Sequence, residues 1–182
     1  LLLLFPMILL ALTFHELAHG WTAFKLGDPT AYYNGRLTLN PFAHLDPIGT
    51  LMMFIARIGW AKPVPVNPSY FTNPKRGLMW VSLAGPAMNF IIAAILGILL
   101  RVVIEYQVPL PLALGRMLFF GVFINLALGF FNLIPIPPLD GSKILAGLLP
   151  DHLAYRFLAL ERTLPMLLFL IIILDNFVLK IG

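Results

Sequence analysis

Two stretches of this chain, residues 77–100 and 115–134, are long and apolar, and between them they carry a single charged side chain, Arg116. At about 1.5 Å per residue either one, as a helix, crosses the roughly 30 Å of hydrocarbon in a bilayer. A soluble fold cannot hide such runs, because it would lack the polar side chains to clothe them. The whole chain bears this out: 60% of its 182 residues are hydrophobic and 11% are charged, against roughly 45–50% apolar residues in ordinary globular proteins. Lipid must therefore take the place of water around much of the surface.

The expected architecture is a single all-α multi-pass membrane domain over residues 1–182, with about four spanning helices. Residues 1–26 form the first apolar stretch, interrupted by Thr13, His15, Glu16, His19 and Thr22, with Lys25 near its end. The run opens on Leu1 without the basic start and small-residue cleavage site of a leader, so it is read as the first part of a membrane helix. Residues 27–47 change character: Gly27-Asp28-Pro29 marks a turn, and alternation around Asn34-Gly35 predicts a small β-hairpin over 31–39. Residues 48–59 are apolar but too short to cross, so 48–76 is expected to be a re-entrant or interfacial segment followed by a loop rich in proline. The later spans are 77–100, with a bend at Gly85-Pro86, then 115–134, and a short last one at 163–179.

If 48–59 does not cross, helices 1–26 and 115–134 run in the same direction. Their C-terminal ends then share a side with Lys25, Arg36, Arg57, Lys62, Lys75, Arg76, Lys143, Arg156 and Arg162, leaving Arg101, Arg116 and Lys180 opposite. The positive-inside rule places the richer side in the cytoplasm, as in a bacterial cell membrane. The basic residues are scattered, with no stripe of interleaved aromatics, which excludes a nucleic-acid partner. With no cysteine, disulfides, thiolate metal sites and a cysteine nucleophile are excluded too. Self-association stays open.

His15-Glu16-Leu17-Ala18-His19 is an HExxH pattern. On a helix, residues four apart are separated by about 40° around the axis and about 6 Å along it, so both imidazoles can reach one Zn²⁺. Glu16 is turned by about 100°, placed to work on water at the metal. The alternative is two buried histidines and a carboxylate satisfied by neighbouring helices. In lipid that alternative is weak, because an intramembrane ionisable group costs roughly 2.5–3.5 kcal/mol even on lenient scales. Zinc enzymes usually take three protein ligands and leave one position open. His44, His152 and the few acids can supply the third. Asp140 stands out among them, since Pro135, Pro137 and Pro138 unwind the chain just before it, and such backbone at membrane depth surrounds cavities. A simple capping role for Asp140, on a helix over 142–149, remains the competing explanation.

HELAH together with Asn132–Gly141 (NLIPIPPLDG) resembles the site-2 protease family of intramembrane zinc metalloproteases. Asn40–Thr50 (NPFAHLDPIGT), Gly59–Pro68 (GWAKPVPVNP) and Ser82–Asn89 (SLAGPAMN) are similar to its compact bacterial branch, without PDZ or CBS domains. The resemblance implies zinc held by His15, His19 and Asp140, with Glu16 as catalytic base. It implies substrate held near the metal by Asn132. For Asn89 a substrate contact competes with a role bridging packed helices. The implied activity is hydrolysis of peptide bonds in or near transmembrane segments of membrane-protein substrates. The competing class is a non-catalytic zinc protein that binds transmembrane helices, which would not need Glu16. A di-iron oxidase would need more than four histidines, a transporter should show paired repeats, and another HExxH protease would use Glu105 or Glu161 as third ligand.

Overall fold

A computed structural model describes residues 4–55 and 59–159. Among them are seven helices: α1 (Phe5–Lys25), α2 (Thr30–Tyr33), α3 (Pro47–Ile55), α4 (Pro74–Glu105), α5 (Leu112–Leu133), α6 (Asp140–Leu148) and α7 (Asp151–Ala159). α4 and α5 are long and apolar enough to cross a membrane. α1, at 21 residues, is long enough but less apolar, because Thr13, His15, Glu16 and His19 lie in it; all four are buried against its neighbours. The expected span at 163–179 lies outside the described residues.

α4 is the centre of the bundle. His15 of α1 meets Asn89 of α4, and His19, one turn later, meets Val81, so the two helices are antiparallel. On the other side Gly121 of α5 sits beside Leu96, and Gly129 beside Phe90, so α5 is antiparallel to α4 and parallel to α1. Small residues make these approaches possible where apolar lipid provides no drive for helices to associate. α4 begins earlier than residue 77 because Asn73 caps it, accepting from Arg76 N at 3.0 Å, and Pro74 fits its first turn. The helix continues through Pro86 as one element.

The expected hairpin at 31–39 is not formed. Asp28 instead accepts the Thr30 N–H at 3.0 Å and starts the helical turn α2. Asn34 donates back to Thr30 O, and Gly35 takes φ +64 just beyond the turn. Asn-Gly satisfies the positive φ of a hairpin turn and of a helix end equally well, so the dipeptide alone does not discriminate. Among the described residues there is one isolated bridge, Leu45 with Ala61, and no strand. α3 has nine residues, about 13 Å of helix, and Asp46 caps it by accepting from Gly49 N at 2.8 Å.

The proline-rich loop after α3 is held at several points. Lys62 N donates to His44 O at 2.9 Å, Arg36 donates to Lys62 O at 2.6 Å, and Asn67 N donates to Asp28 at 2.7 Å. Val64 of the same loop lies beside Gly20 and donates its N–H to Glu16, so the loop crosses the C-terminal half of α1.

Candidate metal centre

The parallel course of α1 and α5 brings the end of α5 to the histidine turn of α1. There the prolines stop the helix, and the chain folds back so tightly that a Cβ on Gly141 would lie 2.2 Å from Leu133 O. Glycine is required at that approach. Asp140 opens α6 and turns its carboxylate to the two histidines. Its Oδ2 lies 3.1 Å from His15 Nε2 and 3.2 Å from His19 Nε2, and the two Nε2 atoms are 3.0 Å apart.

The protons on these groups can be assigned from their other partners. His19 Nδ1 lies 2.7 Å from Val81 O, which can only accept, so Nδ1 carries the hydrogen. His15 Nδ1 lies 2.6 Å from Asn89 Oδ1, again an acceptor. As neutral imidazoles, His15 and His19 then present their Nε2 lone pairs to Asp140 Oδ2, which is buried beside them. Two such lone pairs and a carboxylate oxygen converging on one buried point are unfavourable unless a positive charge, a metal ion or a proton, stands between them. The spacing fits zinc: ligands about 2.0–2.1 Å from one ion at tetrahedral angles stand about 3.3 Å apart. Among the described residues, His15, His19 and Asp140 are the group able to hold a metal in this way.

Glycine and proline in α4 make room for the imidazoles. A Cβ on Gly85 would lie 2.5 Å from His19 Nε2 and 2.7 Å from His15 Cε1. Glu16, also buried, accepts from Val64 N at 3.0 Å. Its neighbours Pro63 and Pro65 have no N–H to offer, so Val64 supplies this stretch's donor. The three prospective ligands and Glu16 line a cavity of about 410 Å³, together with Val64, Ser82, Asn132 and Lys143. A cavity of about 480 Å³ at the far end of α4 and α5 is lined by apolar groups around Arg116, with no cluster of reactive side chains.

Of the other residues singled out in the sequence, Asn132 lines the cavity, with its Nδ2 donating to Leu128 O at 3.0 Å. Asn89 does not. It is wholly buried behind His15, and both ends of its amide are taken up by protein groups. His44 is buried beneath the loop, donating to Thr38 O, and His152 is exposed on α7, so neither reaches the centre. The simple capping role for Asp140 is also absent: Asp140 is the first residue of α6, not its cap. Sequence reasoning missed Asn125, the Gly85 approach and Val64. A lone amide in the middle of an apolar span was the available signal for Asn125.

A bundle of apolar helices that brings an HExxH pair and an aspartate to one buried point defines a membrane zinc metallopeptidase. This chain belongs to peptidase family M50, whose model matches residues 3–173, and with it to the site-2 proteases. It is similar to YwhC of Bacillus subtilis, 46% identical over 147 residues that cover 79% of this chain and 67% of that protein. Rip2 of Mycobacterium tuberculosis is 36% identical over 143 residues, 75% of this chain and 53% of the relative. Zinc metalloprotease MJ0392 of Methanocaldococcus jannaschii is 29% identical over 152 residues, 84% of this chain and 36% of its own length. The chain thus spans from about a third to two thirds of these relatives. No solved structure matches it.

Proposed function

We propose that this chain is an intramembrane zinc metalloendopeptidase that hydrolyses peptide bonds in or near transmembrane segments of membrane-protein substrates. The observation that carries the proposal is the convergence of His15 Nε2, His19 Nε2 and Asp140 Oδ2 on one buried point, on the same cavity as the Glu16 carboxylate. His15, His19 and Asp140 hold the ion. Zinc, when bound, supplies a Lewis acid and makes water nucleophilic near neutral pH.

Glu16 takes the proton from the attacking water and delivers it to the leaving amine. Val64 N–H fixes one carboxylate oxygen, so the other is free to turn toward the water. Asn132, with its Nδ2 occupied by Leu128 O, keeps its amide oxygen for a substrate N–H. A transmembrane substrate must unwind before attack, because its helical carbonyls are already bonded. Such unwinding exposes the backbone N–H groups that Asn132 can accept.

In this reading α1, α4 and α5 all cross the bilayer. The polar face of α1 is shielded by its neighbours, so lipid meets little of it. Among the described residues, the end that carries the site also holds Lys25, Arg36, Lys62, Lys75, Arg76, Lys143 and Arg156, against Arg101 and Arg116 at the other. The site therefore opens toward the cytoplasm.

The test is zinc content and cleavage of a model membrane substrate by the purified chain in bilayer discs. Glu16→Gln should retain zinc and lose about 10²–10⁴-fold in rate. Asp140→Asn should lose zinc and activity together. Normal cleavage by Glu16→Gln would remove the proposed mechanism, and full occupancy in Asp140→Asn would remove the ligand set.

A further inference from the structure

The two histidines are oriented by different means. His19 gives its Nδ1 proton to a backbone carbonyl, Val81 O, which cannot turn round. His15 gives its proton to a side-chain amide, Asn89 Oδ1, and an amide can flip its oxygen and nitrogen. If Asn89 flipped, an NH₂ would face His15 Nδ1. The favoured imidazole would then carry its proton on Nε2, pointing at His19 and Asp140.

Asn89 is kept from flipping by what its nitrogen donates to. Nδ2 lies 3.0 Å from Asn125 Oδ1 and 3.2 Å from Ala11 O. The Asn125 amide is oriented in turn by Gly121 O, which accepts from its Nδ2 at 2.8 Å. Both asparagines are 0% exposed. The polarity of the whole chain therefore begins at a backbone carbonyl of α5 and ends at a lone pair in the metal centre. Helix bridging alone would need no such order of donors and acceptors.

We propose that Asn125 is a positioning residue for the metal centre, acting through Asn89 to hold His15 as the Nδ1–H tautomer with Nε2 free for the ion. Asn125 does not touch the site itself. The inference rests on the zinc reading above, and the two fail differently. Wild-type protein that binds no zinc removes both, whereas zinc-binding wild type whose affinity ignores Asn125 removes only this one.

The experiment measures zinc affinity of the purified full chain by competition with a chelator. Asn89→Leu should weaken binding about 10–100-fold, the usual range for partners of ligating histidines, and Asn125→Leu about tenfold. The double variant should bind no worse than Asn89→Leu alone, because Asn125 has no route to the metal except through Asn89. Asn125→Asp, neutral when buried, can still accept from Asn89 and donate to Gly121 O, so it should bind within about threefold of wild type.

Unchanged affinity in Asn125→Leu, losses that multiply in the double variant, or no rescue by aspartate would each overturn the proposal. Histidine-selective ¹⁵N NMR of the metal-free wild type gives an arm that needs no variant to fold. His15 should show the Nδ1–H tautomer, and an Nε2–H tautomer would overturn the proposal.

Discussion

Two groups of buried polar residues lie within this small bundle, and they do different work. One is the column of His15, His19 and Asp140 backed by Asn89 and Asn125. The other is the layer of Asp28, Arg36 and His44 under the proline-rich loop. Burial does not separate them, since Asp28 is 0% exposed and His44 1%, less than His15 at 5%. The arrangement of donors and acceptors does. Asp28 meets the N–H groups of Thr30 and Asn67 and the Thr30 hydroxyl, while Arg36 and His44 each donate to a backbone carbonyl. His44 Nδ1 is left without a partner, but no other acceptor converges on it. In the column the Nδ1 atoms of both histidines are taken up by outer partners, while the two Nε2 atoms and Asp140 Oδ2 face one another. A brace matches its acceptors with donors; a metal site leaves them facing a common point.

The largest effect is expected at the column. Gly85→Ala would place a methyl against both imidazoles, which cannot retreat without losing Val81 O or Asn89. Zinc affinity should fall about a hundredfold or more, and a chelator-competition titration showing wild-type affinity would contradict the packing described. Glu16→Gln should follow, with its large loss of rate at unchanged zinc content.

Removing the metal with a chelator should abolish cleavage and lower the melting temperature, because binding to the folded state stabilises it by mass action. A melting temperature independent of zinc would argue against a folded-state site. The brace should respond in the opposite sense. Asp28→Ala leaves the Thr30 and Asn67 N–H groups without an acceptor, at a cost of about 1–3 kcal/mol for a buried unsatisfied donor. Its denaturation midpoint should drop while zinc affinity stays within about twofold of wild type. Loss of zinc in parallel would merge the two regions into one.

The smallest effect belongs to a polar contact outside both. Lys75 donates to Leu149 O at 2.8 Å and to Asp151 at 2.6 Å. The Lys75 ammonium holds the Asp151 carboxyl below its ordinary range. A carboxyl depressed in this way favours the folded state above its unfolded pKa, and that contribution is lost as the pH falls through the folded value. The pair is solvent-exposed and screened. Asp151→Asn should therefore leave the melting temperature at neutral pH unchanged within error, and a clear drop would show that α7 is pinned by this contact.

Much of the site was legible because its chemistry is local. Four-residue spacing puts His15 and His19 on one face of any helix, and three prolines within four residues, Pro135, Pro137 and Pro138, remove too many N–H donors for a helix to run through them. Asp140 could be reached by parity, since two helices of the same direction bring their ends to one side. The hairpin at 31–39 was misread for an equally local reason, because a residue pair tolerant of positive φ serves two kinds of turn. Asp28, buried by a loop nearly forty residues away, selected the helical one. For Asn89 the motif left a substrate contact and a bridge between helices both open, and its place behind His15 follows from the antiparallel crossing of α1 and α4.

The residue types and their intervals therefore pointed to lipid and to two histidines able to reach one metal ion, with a carboxylate beside them. These properties depend on transfer free energy and helical pitch, which hold whatever the neighbours. Which amide faces which imidazole, how closely Gly85 lets α4 approach, and which N–H holds Glu16 depended on long-range packing. Polar groups separated by 36 to 78 residues had to meet within about 3 Å, and nothing in the linear order prescribes that.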